Sequence, residues 1–347
     1  MVFYVHRSRG LYITINMLIC TCLVTSTQHK MPKRSICHIS SSSSWLKDPE
    51  KRVWIDYDRP LSTPVRFLIL SDTHGADLPS NLPPCDVLLH CGDLTEDGTP
   101  ESIFAALRNV GNMEAKLRLV IAGNHDISLE KGYWVSQGGA ESDSERAQAL
   151  FNPECGTNQH GITFLSEGTH TFNLPCGAVF KIYASPYTPG CGTSAKNAGT
   201  ETSIIPENVD IVMTHGPPKY ILDETAGDSA GCEHLRNAIV RVKPRLHCFG
   251  HIHIPREGWI YQAHRLAYKD PAKLESGGSE LIANIFKDWV GSNQARKRGF
   301  KCLSPGAAQD FRASKQQTLC VNGAMESKKG KLEHLSWFVT LDLPVRR

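Results

Sequence analysis

Five short blocks in the chain carry residue types that bind divalent metal ions. They are Asp72-Thr73-His74, Gly92-Asp93, Gly123-Asn124-His125-Asp126, His215-Gly216 and Gly250-His251-Ile252-His253. Carboxylate, carboxamide oxygen and imidazole suit manganese, iron or zinc, and the absence of thiolates from the blocks argues against a soft-metal site. Asp72 and His74 are two residues apart, so in an extended chain their side chains leave on the same face. Each block alone has an ordinary reading: Gly-Asp-Leu-Thr as a helix N-cap, Asn-His-Asp as a turn, His-x-His as a pair on one strand face. The five are set apart because each follows an apolar run and each has a glycine directly beside a candidate ligand. Glycine lets the backbone turn sharply and approach an ion closely. Two ions about 3.5–4 Å apart, bridged by one carboxylate, clamp the attacking and leaving oxygens of an in-line displacement and lower the pKa of a bound water.

The elements that must position these blocks are legible as apolar runs. Strands are predicted from Val65 to Leu70, Asp86 to His90, Leu117 to Ala122, Val209 to Thr214 and Arg245 to Phe249, each ending at one block. A helix is predicted from Pro100 to Val110, with Ile103, Phe104 and Leu107 on one face, and another from Gly231 to Val242. A short helix around Glu145 to Phe151 and short strands at Ile162 to Leu165, His170 to Leu174 and Val179 to Ala184 lie between. Gln317 to Asn322 and Ser336 to Leu343 are the last strand candidates. This order predicts an α/β fold in which parallel strands bring their C-terminal tips into one crevice.

Residues 1–52 are predicted to be a leader and low-complexity linker without regular structure, centred on the run Ser40 to Ser44. Arg7 and Arg9 ahead of Leu11 to Val24 also fit a signal peptide; the alternative is a disordered leader, or a start at Met31, and the expected location is then cytoplasmic. Residues 53–347 form the expected folded domain, with 255–315 as an insertion. At 347 residues and 40% hydrophobic content the chain can bury a large core. Its net charge of +3, with scattered Lys and Arg, gives no footprint of a nucleic-acid partner. The 12 cysteines include no Cys-x-x-Cys pair, and Cys91 and Cys248 sit in apolar runs where a thiol acts as a small hydrophobe. The Leu11 to Val24 stretch is too short and too polar for a convincing transmembrane helix, so no stable membrane span is expected.

The order Asp-x-His, Gly-Asp, Gly-Asn-His-Asp, His-Gly, Gly-His-x-His resembles the calcineurin-like metallophosphoesterase superfamily from Val65 to about His253. The stretches Asp210 to Pro218 and Lys243 to His253 resemble its metallophosphoesterase-domain-containing (MPPED) branch and fungal relatives. The resemblance implies a four-layer α/β/β/α sandwich with a dimetal site at the strand C-terminal tips. It implies Asp72, His74 and His253 on one ion, Asp93 as the bridge, and Asn124, His215 and His251 on the other. The implied cofactors are two divalent ions, manganese, iron or zinc. His125 would lie beside the scissile phosphate and assist the leaving oxygen, and Asp126 would orient His125. The implied activity is hydrolysis of a phosphodiester by a metal-bridging hydroxide, and the small net charge of +3 favours a small or cyclic nucleotide as the substrate. Two other readings stand beside it: a Ser/Thr-type phosphomonoesterase, against which the lack of an arginine beside the Gly-Asp and Gly-Asn-His blocks argues, and a metal-bearing scaffold module. The chain departs from the branch where Ile254-Pro255-Arg256 intervenes before Glu257-Gly258-Trp259.

Overall fold

The computed structural model describes residues 2–8, 12–18, 62–152, 161–188, 205–225, 229–253, 263–267, 280–284, 289–314 and 317–346. The chain divides into two units, Met1–Leu61 and Ser62–Arg347. In the first unit β1 (Val2–Ser8) pairs antiparallel with β2 (Tyr12–Leu18), where the sequence predicts a leader without regular structure. Both strands are rich in aromatic and β-branched residues, which favour extended backbone. The Ser40 to Ser44 run and the predicted domain start at 53 lie outside the described residues.

The second unit carries two sheets. In the first, β3 (Ser62–Leu70) pairs in parallel with β4 (Cys85–His90), β4 with β5 (Ala115–Val120), and β5 with β6 (Ile162–Phe164). On its other side β3 pairs antiparallel with β15 (Ser336–Pro344), which is flanked by β13 (Phe300–Lys301). The second sheet runs β12 (Glu280–Asn284), β11 (Ala263–Ala267), β14 (Gln317–Asn322), β10 (Leu246–Phe249), β9 (Ile211–Thr214), β8 (Val179–Ser185), β7 (Gly168–Asn173). Its centre, β14-β10-β9-β8, is parallel throughout.

Because parallel strands covered on both faces need apolar residues on both, the runs read as continuous rather than alternating. Phe67, Ile69, Val87 and Leu89 of the first sheet meet Phe180, Ile182, Met213 and Val321 of the second in a shared inner core. The Phe67 and Phe180 rings cross edge to face at 5.7 Å. On the outer face of the first sheet, Leu68, Leu70 and Leu88 pack on Ile103, Leu107 and Val110 of α1 (Pro100–Gly111). On the outer face of the second, Val212 and Phe249 pack on Leu235 and Ile239 of α4 (Glu233–Val242). The layers are therefore α/β/β/α, as the resemblance implies. Each fully buried Leu or Ile contributes about 1.5–3 kcal/mol of transfer free energy. Two short helices, α2 (Lys131–Ser136) and α3 (Glu141–Ala149), follow the third block.

Much of the 255–315 stretch lies outside the described residues. Its described parts extend the second sheet with β11 and β12 and the first with β13, together with α5 (Trp289–Arg298) and α6 (Pro305–Ala313). Phe311 of α6 is buried in the inner core. Short strands toward the sheet edges carry little continuous apolar sequence, so this segment reads as polar and Gly-interrupted. The departure at residues 254–259 lies outside the described residues.

Strand register gathers the five blocks. Leu70 stands opposite His90 and His90 opposite Val120, so three strands of the first sheet end level. In the second sheet Ser185 is level with Thr214, Cys248 with Met213, and Phe249 with Asn322. The two edges are stitched together where Met325 N donates to Ser71 O at 3.0 Å. Among the described residues seven cysteines are free thiols, and no helix is long and apolar enough to cross a membrane.

Candidate metal centre

The loops after β3 and β4 are zipped together by backbone bonds. Asp72 N donates to Gly92 O (3.0 Å), Thr73 N and His74 N to Asp93 O (3.0 and 3.2 Å), and Gly75 N to Leu94 O (2.7 Å). The zipper holds Asp72, His74 and Asp93 at φ of 52°, 45° and 52°, and His251 sits at 69°. Left-handed backbone at non-glycine residues costs of order 1–3 kcal/mol each and persists where the surroundings over-determine it. Two glycines permit the close approach. A Cβ at Gly250 would lie 2.1 Å from Asp72 Oδ2, and one at Gly123 would lie 2.2 Å from Asp93 Oδ1.

His215, on the loop after β9, has a fixed tautomer. Its Nδ1 lies 2.8 Å from the Cys91 carbonyl, which can only accept, so Nδ1 carries the ring hydrogen. Its Nε2 then faces two oxygens, Asn124 Oδ1 at 3.0 Å and Asp93 Oδ2 at 3.2 Å. Three acceptors converging in a buried place repel one another unless a cation lies among them. Burial alone would lower the His215 pKa, but the Asp93 carboxylate outweighs it and raises it to about 9. Burial likewise opposes ionisation of Asp93, yet His215 holds that carboxyl well below the usual carboxylate range. Burial and the neighbouring His215 push His251 down to about 3, so its ring is neutral and its lone pair is available. Asp93, His215 and His251 each offer one ligand atom, all within 4.8 Å of one another.

Asp72, His74 and His253 form a second group with the same spread of 4.8 Å. The Asp72 carboxylate also accepts from His251 N, at 3.0 Å to each oxygen, and so ties the two groups together. The His74 ring lies 5.6 Å from that of His253, and its Nε2 is 3.9 Å from Asp93 Oδ2. Nε2 of His74 and Nδ1 of His253 are buried without a hydrogen-bond partner. Buried polar atoms are normally satisfied, and orphaned nitrogens facing carboxylates fit a divalent ion. The residues present thus fit two ions sharing Asp93.

All nine residues singled out from the sequence come to this crevice. Asp126 has a different place from the one expected. Its carboxylate accepts from Leu94 N (3.1 Å), Thr95 N (3.0 Å), Thr95 Oγ1 (2.9 Å) and Gly123 N (2.8 Å), stapling the second block to the third. The His125 ring is oriented instead by the Glu96 carbonyl, 2.9 Å from Nδ1, and its backbone N donates to Asp93 Oδ1 at 2.8 Å. Burial lowers the His125 pKa and raises that of Asp126. For His125 the Glu96 carbonyl and the nearby carboxylates reverse the sign, leaving it above its ordinary value.

Three acids and amides went unread in the sequence. Glu96 Oε2 lies 2.8 Å from His74 Nδ1. Glu326 Oε2 lies 3.6 Å from His74 Nε2 and 3.5 Å from His253 Nδ1. Asn322 Nδ2 donates to Ile252 O at 2.8 Å and pins the fifth block. The strand-tip logic applied to β14, which ends level with β10, would have pointed to Asn322 and the loop carrying Glu326.

The calcineurin-like phosphoesterase family model matches residues 65–255. Among curated proteins, "Probable rhamnogalacturonate lyase C" of Emericella nidulans is 30% identical over 280 residues, covering 76% of this chain and 25% of that protein. Metallophosphoesterase domain-containing protein 1 of Homo sapiens is 33% identical over 201 residues, covering 54% of this chain and 60% of that protein. A UPF0046 protein of Caenorhabditis elegans is 32% identical over 207 residues, covering 54% of this chain and 69% of that protein. The chain thus spans a quarter of the length of the first relative and 60% of the second. A purple acid phosphatase from yellow lupin (Lupinus luteus) seeds aligns with TM-score 0.33 at 13% identity, covering 61% of this chain and 41% of that one. The relatives match the MPPED branch, and the family match covers the segment holding all five blocks: the chain belongs to the calcineurin-like phosphoesterase family.

Proposed function

We propose that the chain is a metal-dependent phosphodiesterase acting on a small nucleotide or cyclic nucleotide. The observation that carries the hydrolase reading is the pair of ligand groups, Asp72-His74-His253 and Asp93-His215-His251, with Asp93 Oδ2 3.9 Å from His74 Nε2 and the half-buried His125 beside them. Asp72, His74 and His253 would hold one divalent ion, Asn124, His215 and His251 the other, and Asp93 both. Such a pair, when bound, supplies charge neutralisation for a phosphoryl group and a water of lowered pKa.

The chain's own residues do the rest. The carbonyls of Cys91 and Glu96 fix the tautomers of His215 and His125, so the Nε2 lone pair of His215 is directed at the shared site. His125 Nδ1 is committed to Glu96, which leaves Nε2 to give a proton to the leaving oxygen or to steady charge on it. The Asp126 staple keeps the His125 loop against the Asp93 loop. The family resemblance supports a diester, and the net charge of +3 supports a small one over a polynucleotide.

The test is hydrolysis of bis-p-nitrophenyl phosphate against p-nitrophenyl phosphate by the full chain, stripped of metal and given manganese. Faster metal-dependent turnover of the diester is the expected result. Preference for the monoester would move the assignment to a phosphatase, and no turnover of either with ions bound would favour the scaffold reading.

A further inference from the structure

Glu326 comes from the loop after β14, outside all five blocks and beyond the stretch matched by the family model. That loop is pinned to the site from both sides. Met325 N donates to Ser71 O at 3.0 Å, one residue before Asp72, and Ala324 pairs with Ser71 as a parallel bridge. His334 N in turn donates to Met325 O at 3.1 Å, and Ser327 N to Lys331 O at 2.8 Å. A charged side chain so placed, with only 16% of its surface exposed, pays a desolvation cost that something must offset.

Around the Glu326 carboxylate lie imidazole nitrogens and, within 4.8 Å, an oxygen of Glu96, which with His74 makes a further candidate ligand group. Nε2 of His74 lies at 3.6 Å and Nδ1 of His253 at 3.5 Å. Neither nitrogen makes a hydrogen bond, although the His74 side chain is only 5% exposed. Glu96 approaches His74 from the other ring nitrogen, so it does not satisfy Nε2. Separations of 3.5 and 3.6 Å are long for a hydrogen bond. They are close to the nitrogen–oxygen edges of one coordination sphere: ligands about 2.1 Å from an ion, at angles from ~90° to ~110°, stand roughly 3.0–3.4 Å apart.

We propose that Glu326 supplies a carboxylate oxygen to the ion held by Asp72, His74 and His253. The proposal rests on the two-ion reading above. With it, that ion meets three carboxylates, Asp72, Asp93 and Glu326, whereas the other meets Asp93 alone beside two imidazoles and an amide. Each position then has two imidazole nitrogens, and the first, with the larger share of carboxylate oxygens, is the harder one and suits manganese.

The experiment is a titration of the metal-stripped full chain with Mn2+, following free Mn2+ by electron paramagnetic resonance, for the wild type, Glu326→Gln and the exposed control Glu333→Gln. The wild type and Glu333→Gln are expected to bind two ions. Glu326→Gln is expected to keep one and to bind the other at least roughly tenfold more weakly, a size typical of lost metal-site contacts. Within each variant, the rise in Tm on metal addition removes any general loss of fold, and that rise is expected to shrink only in Glu326→Gln. The visible spectrum of the Co2+-loaded chain reports coordination directly and is expected to change in Glu326→Gln. Two ions bound at wild-type affinity, with an unchanged Co2+ spectrum, would overturn the Glu326 assignment and leave the two-ion reading standing. A wild type that binds no ion would overturn both.

Discussion

Asp93 and His215 meet at 3.2 Å, Oδ2 to Nε2, while the one hydrogen of the neutral His215 ring is already given to the Cys91 carbonyl. The contact is favourable only with a positive charge between the two groups. A proton on Nε2 meets that need in the metal-free chain, which is why the His215 pKa rises to about 9 despite full burial. A divalent ion meets it better, because the same ion also satisfies Asn124 Oδ1, at 3.0 Å from Nε2. Uptake of a divalent ion here would therefore release a proton from this pair.

His125 offers a ligand atom within 4.8 Å of those of His74 and Asp93, but its Nδ1 is taken by the Glu96 carbonyl, and each ion has its ligands without it. We expect His125→Ala to keep both ions and to lose turnover by about 10²–10⁴-fold, the usual range for a positioned proton donor. Metal content and turnover measured on the same preparation check this. Loss of an ion from the variant would make His125 a ligand.

Asp126 acts through the backbone. Its four donors come from Leu94, Thr95 and Gly123, so an amide in its place leaves at least one of them facing another donor. Asp126→Asn is expected to cost about 1–3 kcal/mol of stability, seen as a lower Tm, with turnover falling alongside. Lost turnover at an unchanged Tm would instead support a direct hold on the His125 ring.

His247 gives a pH dependence away from the site. It is fully buried, with Nε2 3.0 Å from Thr214 Oγ1, whose hydrogen goes to Gly216 O at 2.7 Å. Nε2 therefore carries the ring hydrogen and Nδ1 has no partner. Burial pushes its pKa down to about 3. Unfolded, it titrates near about 6.5. Between those values the unfolded chain binds the extra proton, so the stability is complete above about 6.5 and is lost as pH falls toward 3. His247→Leu should lose less Tm between pH 7 and pH 5 than the wild type does; equal losses would contradict this.

The five blocks were legible because each ends a buried parallel strand, and such strands announce themselves as apolar runs closed by glycine. The level ends of β3, β4, β9 and β10 then do what the spacing alone implied. Glu326 was not legible, because its place depends on the Met325–Ser71 bond across the two sheets rather than on its neighbours in sequence. The role of Asp126 was hidden for a related reason: its side-chain partners are the backbone amides of two other loops. The framework strands within 255–315 were missed because short strands toward a sheet edge need little apolar sequence.

The most direct measurement is a manganese titration of the stripped full chain in which spin coupling and turnover are followed together, with Asp93→Asn alongside. The account predicts a spin-coupled pair as the second ion binds, with turnover rising with that signal. It predicts that Asp93→Asn gives no coupled pair and a turnover lower by roughly a thousandfold, the equivalent of several kcal/mol of lost charge stabilisation. Full turnover with a single ion, or a coupled and active pair in Asp93→Asn, would contradict it.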